Sequence, residues 1–128
     1  MKALGYNGLA LAYIGDSYYE LKIREYLLEK GYSIVNDLHK MAIKFTSGEA
    51  QARFMDYFIS NNILSDEEIS VFKKGRNSNS NGKRKNISLA TYMKATGFEA
   101  LIGYLYIENK FDRLNEILNI IFELSEGE

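Results

Sequence analysis

Apolar residues recur at helical spacing along nearly the whole chain, and the breaks between the repeats divide it into six predicted helices. The first runs from Leu9 to Glu29, with Leu11, Ile14, Tyr18, Leu21 and Leu28 on its predicted inner side, and stops at Gly31. Asn36 or Asp37 is placed to cap a second helix ending near Lys44. Thr46 or Ser47 opens a third, with Glu49 at the capping-box position after Thr46 and with Ala50, Phe54, Tyr57 and Phe58 facing inward as far as Asn61-Asn62. Ser65 followed by Asp66, Glu67 and Glu68 is a strong start for a fourth helix ending near Gly75, because first-turn acids suit the positive end of the helix dipole. Arg76 to Asn86 is too polar and turn-prone to pack and reads as a loop. Ser88 caps a fifth helix through Glu108, a sixth runs from Phe111 to Leu124, and no segment alternates as a strand does.

The reading is therefore all-α, a single domain over residues 1–128, and composition supports it. There is no proline among the 128 residues, which suits long helices joined by short turns. The longest apolar run, Ala100 to Ile107, is far short of the roughly 20 residues that cross a bilayer, and the N-terminus lacks a signal peptide's apolar stretch. No membrane is expected as a partner. With no cysteine and one histidine, disulfides, thiolate metal sites and HExxH zinc sites are excluded. The expected compartment is the cytoplasm, and any metal must be held mainly by oxygen, which favours magnesium or manganese.

The net charge of −1 carries no message, but its distribution does. From Ile69 to Phe98 there is no acid, while Lys73, Lys74, Arg76, Lys83, Arg84, Lys85 and Lys94 all fall there, seven of the 16 basic residues. Lysine and arginine interleaved with Asn77 and its neighbours in a loop spanning about 76–88 suit the neutralising of phosphates. A solvated basic loop without a ligand has the same composition.

Two acids interrupt apolar surroundings: Asp16, inside the first helix, and Glu99, inside the least polar segment of the chain. A buried carboxylate is costly unless it is paired or bound to metal. Gly15 beside Asp16, and Gly97 and Gly103 around Glu99, each lower helix stability by about 1 kcal/mol relative to alanine. Small residues there would let two helices approach and bring the two acids together, where a divalent cation would relieve their repulsion. Glu20, one turn after Asp16, either joins that site or pairs with Arg24; the i,i+4 spacing favours the pair. The lone His39 reads as a structural or surface residue.

Leu11-Ala-Tyr-Ile-Gly-Asp16 resembles the signature helix of the ribonuclease III family, and Thr96-Gly-Phe-Glu-Ala-Leu-Ile-Gly-Tyr-Leu-Tyr-Ile107 resembles its second acidic helix. Ala12 stands where the family pattern has a glutamate and Thr96 where it has an aspartate. With Lys-Gly-Arg-Asn-Ser at Lys74 to Ser78, and no room for a double-stranded-RNA-binding domain, this is similar to Mini-ribonuclease III, the minimal branch of the family. The likeness covers about Leu9 to Phe122.

The resemblance implies an all-helical endoribonuclease domain that cleaves double-stranded RNA as a homodimer and leaves 5′ phosphates. It implies Asp16 and Glu99 as the catalytic, metal-binding pair, with magnesium as cofactor and manganese as a substitute. Lys73, Lys74, Arg76, Asn77, Lys83, Arg84 and Lys85 would grip RNA. For this branch the implied task is maturation of the large-subunit (23S) ribosomal RNA precursor, with a ribosomal protein or pre-ribosomal particle as a further partner. The alternatives are a non-catalytic helical RNA-binding or ribosome-associated protein and, more remotely, a helical protein-interaction module.

Overall fold

The computed structural model describes residues 2–78 and 87–127. Within them lie six α-helices and no strand: α1 (Gly8–Glu29), α2 (Val35–Thr46), α3 (Gly48–Ser60), α4 (Asp66–Arg76), α5 (Leu89–Ile107) and α6 (Phe111–Glu126), preceded by one 3-10 turn at Ala3–Gly5. None of these helices is long and apolar enough to cross a membrane.

The hub is α5. From Ala95 to Leu105 every residue is buried, because a helix that is apolar on all sides needs neighbours on all sides. Helices α1, α3, α4 and α6 supply them, while α2 packs on α1 and α3. Ser88 starts α5 by accepting the Thr91 amide, and Asn7 and Ser47 do the same for α1 and α3. At α4 the reciprocal capping box is complete: Ser65 Oγ accepts the Glu68 amide at 3.1 Å and Glu68 returns a carboxylate oxygen to the Ser65 amide at 2.9 Å.

Several local expectations are corrected. Helix α2 begins at Val35, with Ile34 at its N-cap and no side-chain cap, so Asn36 and Asp37 lie inside its first turn. Its last turn extends to Thr46, whose hydroxyl donates to the Ala42 carbonyl, which leaves Ser47 alone to cap α3. In α1, Leu21 and Leu28 are exposed, and the buried seam is Leu11, Gly15, Tyr19, Ile23 and Leu27. That seam follows a strict four-residue step, the ridge that a neighbouring helix reads. Tyr57 likewise lies outside the core that takes Ala50, Phe54 and Phe58. Glu68, by contrast, is buried rather than a solvated first-turn acid. It is held in a fork by Arg113, whose Nε and Nη2 each reach a carboxylate oxygen at 2.8 Å.

Candidate active site

The close approach inferred from the glycines is where α1 crosses α5. A β-carbon on Gly15 would lie 1.8 Å from the Glu99 carbonyl oxygen, and one on Gly103 would lie 1.9 Å from the Leu11 carbonyl oxygen. Only glycine on both helices allows backbones this near, and the contact sets the residue after Gly15, Asp16, beside the turn of α5 that carries Glu99. Gly97 has another purpose. Its missing side chain makes room for the Phe72 ring of α4, and Gly75 of α4 similarly faces Ala100 and Gly97. Gly97 therefore seats α4, and the α1 crossing depends on Gly15 and Gly103.

Tyr19 braces the crossing from within. It lies one turn after Asp16, meets Phe98 edge-on at 4.9 Å between ring centroids, and donates its hydroxyl to the Phe45 carbonyl of α2 at 2.8 Å. Burial pushes that hydroxyl well above the ordinary tyrosine pKa, with the neighbouring Glu20 charge adding to the effect, so it stays protonated and remains a donor.

Asp16 is half-buried, and Glu99 retains 9% of its surface. Glu99 Oε2 accepts a hydrogen bond at 3.3 Å from Nε2 of Gln51, a residue of α3 with 1% exposure that helical periodicity does not single out. The signal was present in outline: Gln51 sits between Ala50 and Ala52, a long polar residue flanked by small ones. Its Oε1 is the buried side-chain oxygen that has no donor among the described residues.

Of the two positions that depart from the family pattern, Ala12 brings no polar side-chain atom and Thr96 brings a hydroxyl. Ala12 is buried, and the buried Thr96 donates its hydroxyl to the Tyr92 carbonyl of its own helix at 3.1 Å. Glu20 pairs with Arg24 at 3.5 Å, as the spacing predicted, and His39 is an exposed residue of α2. Among the described residues, no three carboxylate or histidine side chains converge as a metal cage. A donor set of two carboxylates suits magnesium, which keeps several of its waters, and an accepting oxygen such as Gln51 Oε1 suits a water of that shell.

Of the predicted RNA-gripping residues, Lys73 and Lys74 are exposed near the end of α4. Lys74 donates to the Tyr6 carbonyl at 2.6 Å, which ties the segment before α1 to α4. Arg76 lies over the Phe72 ring at 5.5 Å and donates through Nε to Asn77 Oδ1 at 3.1 Å. Arg76, Asn77 and Ser78 line a surface pocket with Tyr92, Met93 and Thr96, the last one turn before Glu99. Lys83, Arg84 and Lys85 lie outside the described residues. Lys94 is committed elsewhere, to Asp56 at 2.7 Å.

Among the described residues the body is all-helical, and α1 and α5, which cross at Gly15 and Gly103, carry Asp16 and Glu99. The chain belongs to the ribonuclease III family, whose domain, described as Ribonuclease III domain, matches residues 9–110. It is an endoribonuclease. Within the family it is similar to Mini-ribonuclease 3 of Acholeplasma laidlawii, with 52% identity over 89% of this chain and 90% of the relative. Mini-ribonuclease 3 of Enterococcus faecalis is 45% identical over 88% of this chain and 86% of that one. The fold is also that of a crystal structure of a Fusobacterium nucleatum protein, with TM-score 0.84 and 33% identity, covering 92% of this chain and 94% of the other. The resemblance to the minimal branch, and the all-α expectation with it, are borne out.

Proposed function

We propose that this endoribonuclease cuts double-stranded RNA at a site where Asp16 and Glu99 together hold hydrated magnesium. Double-stranded RNA as the substrate class follows from the family; the metal, the residues and the biological task are the proposal. The observation that carries it is the Gly15–Gly103 crossing, a close backbone approach that supports reading Asp16 and the buried Glu99 as one site.

Magnesium, when bound, supplies an activated water and neutralises the charge that builds on the scissile phosphate. Asp16 and Glu99 hold and orient the cation, whose charge offsets that of the two carboxylates. Gln51 holds one oxygen of Glu99, and Tyr19 and Phe98 keep the two helices in register. Manganese has a similar demand for oxygen ligands and would substitute. Lys73, Lys74, Arg76 and Asn77, with Lys83, Arg84 and Lys85, would grip backbone phosphates on A-form RNA, which is recognised by shape more than by sequence.

A homodimer gives two such sites related by a two-fold axis, and hence staggered cuts with 5′ phosphates. Its support is the exposure of large apolar residues: Leu28, Val35 and Ile43 line a groove between α1 and α2, and Tyr13 of α1 is 81% exposed. The proposed task is maturation of the 23S ribosomal RNA precursor in the cytoplasm, with a pre-ribosomal particle as the setting.

The test is incubation of long double-stranded RNA with the protein, with and without magnesium, beside Asp16→Asn and Glu99→Gln. Magnesium-dependent cleavage should fall by at least about a hundredfold in each variant while RNA binding and melting temperature persist. Cleavage retained by both variants would remove the two acids from the mechanism.

A further inference from the structure

Gln51 is buried, polar and half-used, a combination that packing does not explain. Both hydrogens of its carboxamide are committed, one to the Thr46 carbonyl at 3.3 Å and one to Glu99 Oε2 at 3.3 Å. Because both partners are acceptors, the amide has one sensible orientation. Turning it over would set oxygen against two oxygens. That orientation leaves Oε1 buried with no donor among the described residues. A buried acceptor without a donor destabilises a fold, and an apolar side chain of similar length would fill the same space without that cost.

We propose that Gln51 is a positioning residue for the catalytic metal: its amide aims the Glu99 carboxylate, and its Oε1 accepts a hydrogen bond from a water of the hydrated cation. The inference rests on the reading of Asp16 and Glu99 as the metal-holding pair. Two hydrogen bonds from Gln51 link three helices. It sits in the first turn and a half of α3, it grips the C-terminal end of α2 through Thr46, and it reaches α5 at Glu99. Glu99 is thereby held from α2 and α3 as well as by its backbone contact with Gly15 of α1. The cation's water shell supplies the donor that Oε1 lacks. Outer-shell partners of this kind typically change metal affinity by about 10- to 100-fold when removed.

The experiment uses Gln51→Met, which keeps length and volume and removes every hydrogen bond, and Gln51→Asn, which keeps the carboxamide but is one methylene too short to span Thr46 and Glu99. Manganese binding to the RNA-free protein is measured by electron paramagnetic resonance. The magnesium half-saturation, kcat and KM for double-stranded RNA are measured alongside, together with melting temperature. Both variants should bind manganese at least about 10-fold more weakly and need correspondingly more magnesium, with KM for RNA unchanged at saturating metal. Gln51→Met should melt close to the parent protein, because loss of the bonds to Thr46 and Glu99 is offset by removal of the unpaired Oε1. Unchanged manganese affinity in both variants would overturn the proposal, and so would a fall in melting temperature that accounts for the lost activity. Glu99→Gln separates the two levels of the argument. If it too binds manganese normally, the metal site itself is misplaced; if it loses manganese while the Gln51 variants do not, only the role of Gln51 falls.

Discussion

Gly15 and Glu99 touch backbone to backbone: a β-carbon on the glycine would sit 1.8 Å from the carbonyl oxygen of the glutamate. The contact joins the two acidic motifs, which are more than eighty residues apart in sequence, and makes helix packing and site geometry one problem. Gly15→Ala should therefore damage both. Overpacking against backbone, which has no rotamer to yield, is expected to cost about 3 kcal/mol, read by urea denaturation. Gly103→Ala should cost a similar amount. The double variant should cost less than the sum, because one separation of α1 from α5 relieves both clashes. Additive losses would mean that the two glycines act independently.

Acid should loosen the junction of α4 with α6. Burial pushes the Glu68 carboxyl up, but the Arg113 fork and the Ser65 amide outweigh it, so its pKa is lowered in the folded protein. A carboxyl with a depressed folded pKa contributes stability above the unfolded value, near pH 4.3, and that contribution disappears as pH falls through the folded value. Glu68→Gln should be less stable at pH 7, by about 2 kcal/mol, and should lose less stability than the parent between pH 5 and strong acid. Parallel stability-against-pH curves would show that Glu68 is not the group responsible.

RNA binding should carry the signature of phosphate contacts. Replacing Lys73 or Arg76 with Gln is expected to weaken binding across unrelated double-stranded sequences alike and to reduce the slope of log affinity against log salt by about one per residue. A slope that stays the same would take those side chains off the RNA path. A sequence-selective loss would mean base contacts instead.

Solution size tests the apolar groove. Ile43→Asp and Val35→Asp place charge on exposed positions, so neither should unfold the monomer. If the groove is the contact between two copies, sedimentation should show the shift from dimer to monomer, with loss of cleavage following. A dimer that withstands both substitutions would move the interface elsewhere.

The number of helices, their order and the two acidic motifs were legible in the chain itself, because helical periodicity, capping residues and glycine placement are local signals. Asp16 and Glu99 stood out for the same reason: each is an acid set among apolar and glycine neighbours, and that contrast is written in consecutive residues. What the line of residues did not contain was the choice among faces. The inner side of α1 follows the ridge at Leu11, Gly15, Tyr19, Ile23 and Leu27, and Leu21 and Leu28, equally apolar, lie outside because α5 approaches on one side only. Gly97 and Gly103 look alike in sequence, yet one admits a phenylalanine ring and the other a helix backbone. Glu68 and Glu99 are both buried glutamates, but one meets Arg113 and the other Gln51, and each partner comes from a distant helix. Pairings of this kind depend on how the helices pack, so only the tertiary structure decided them.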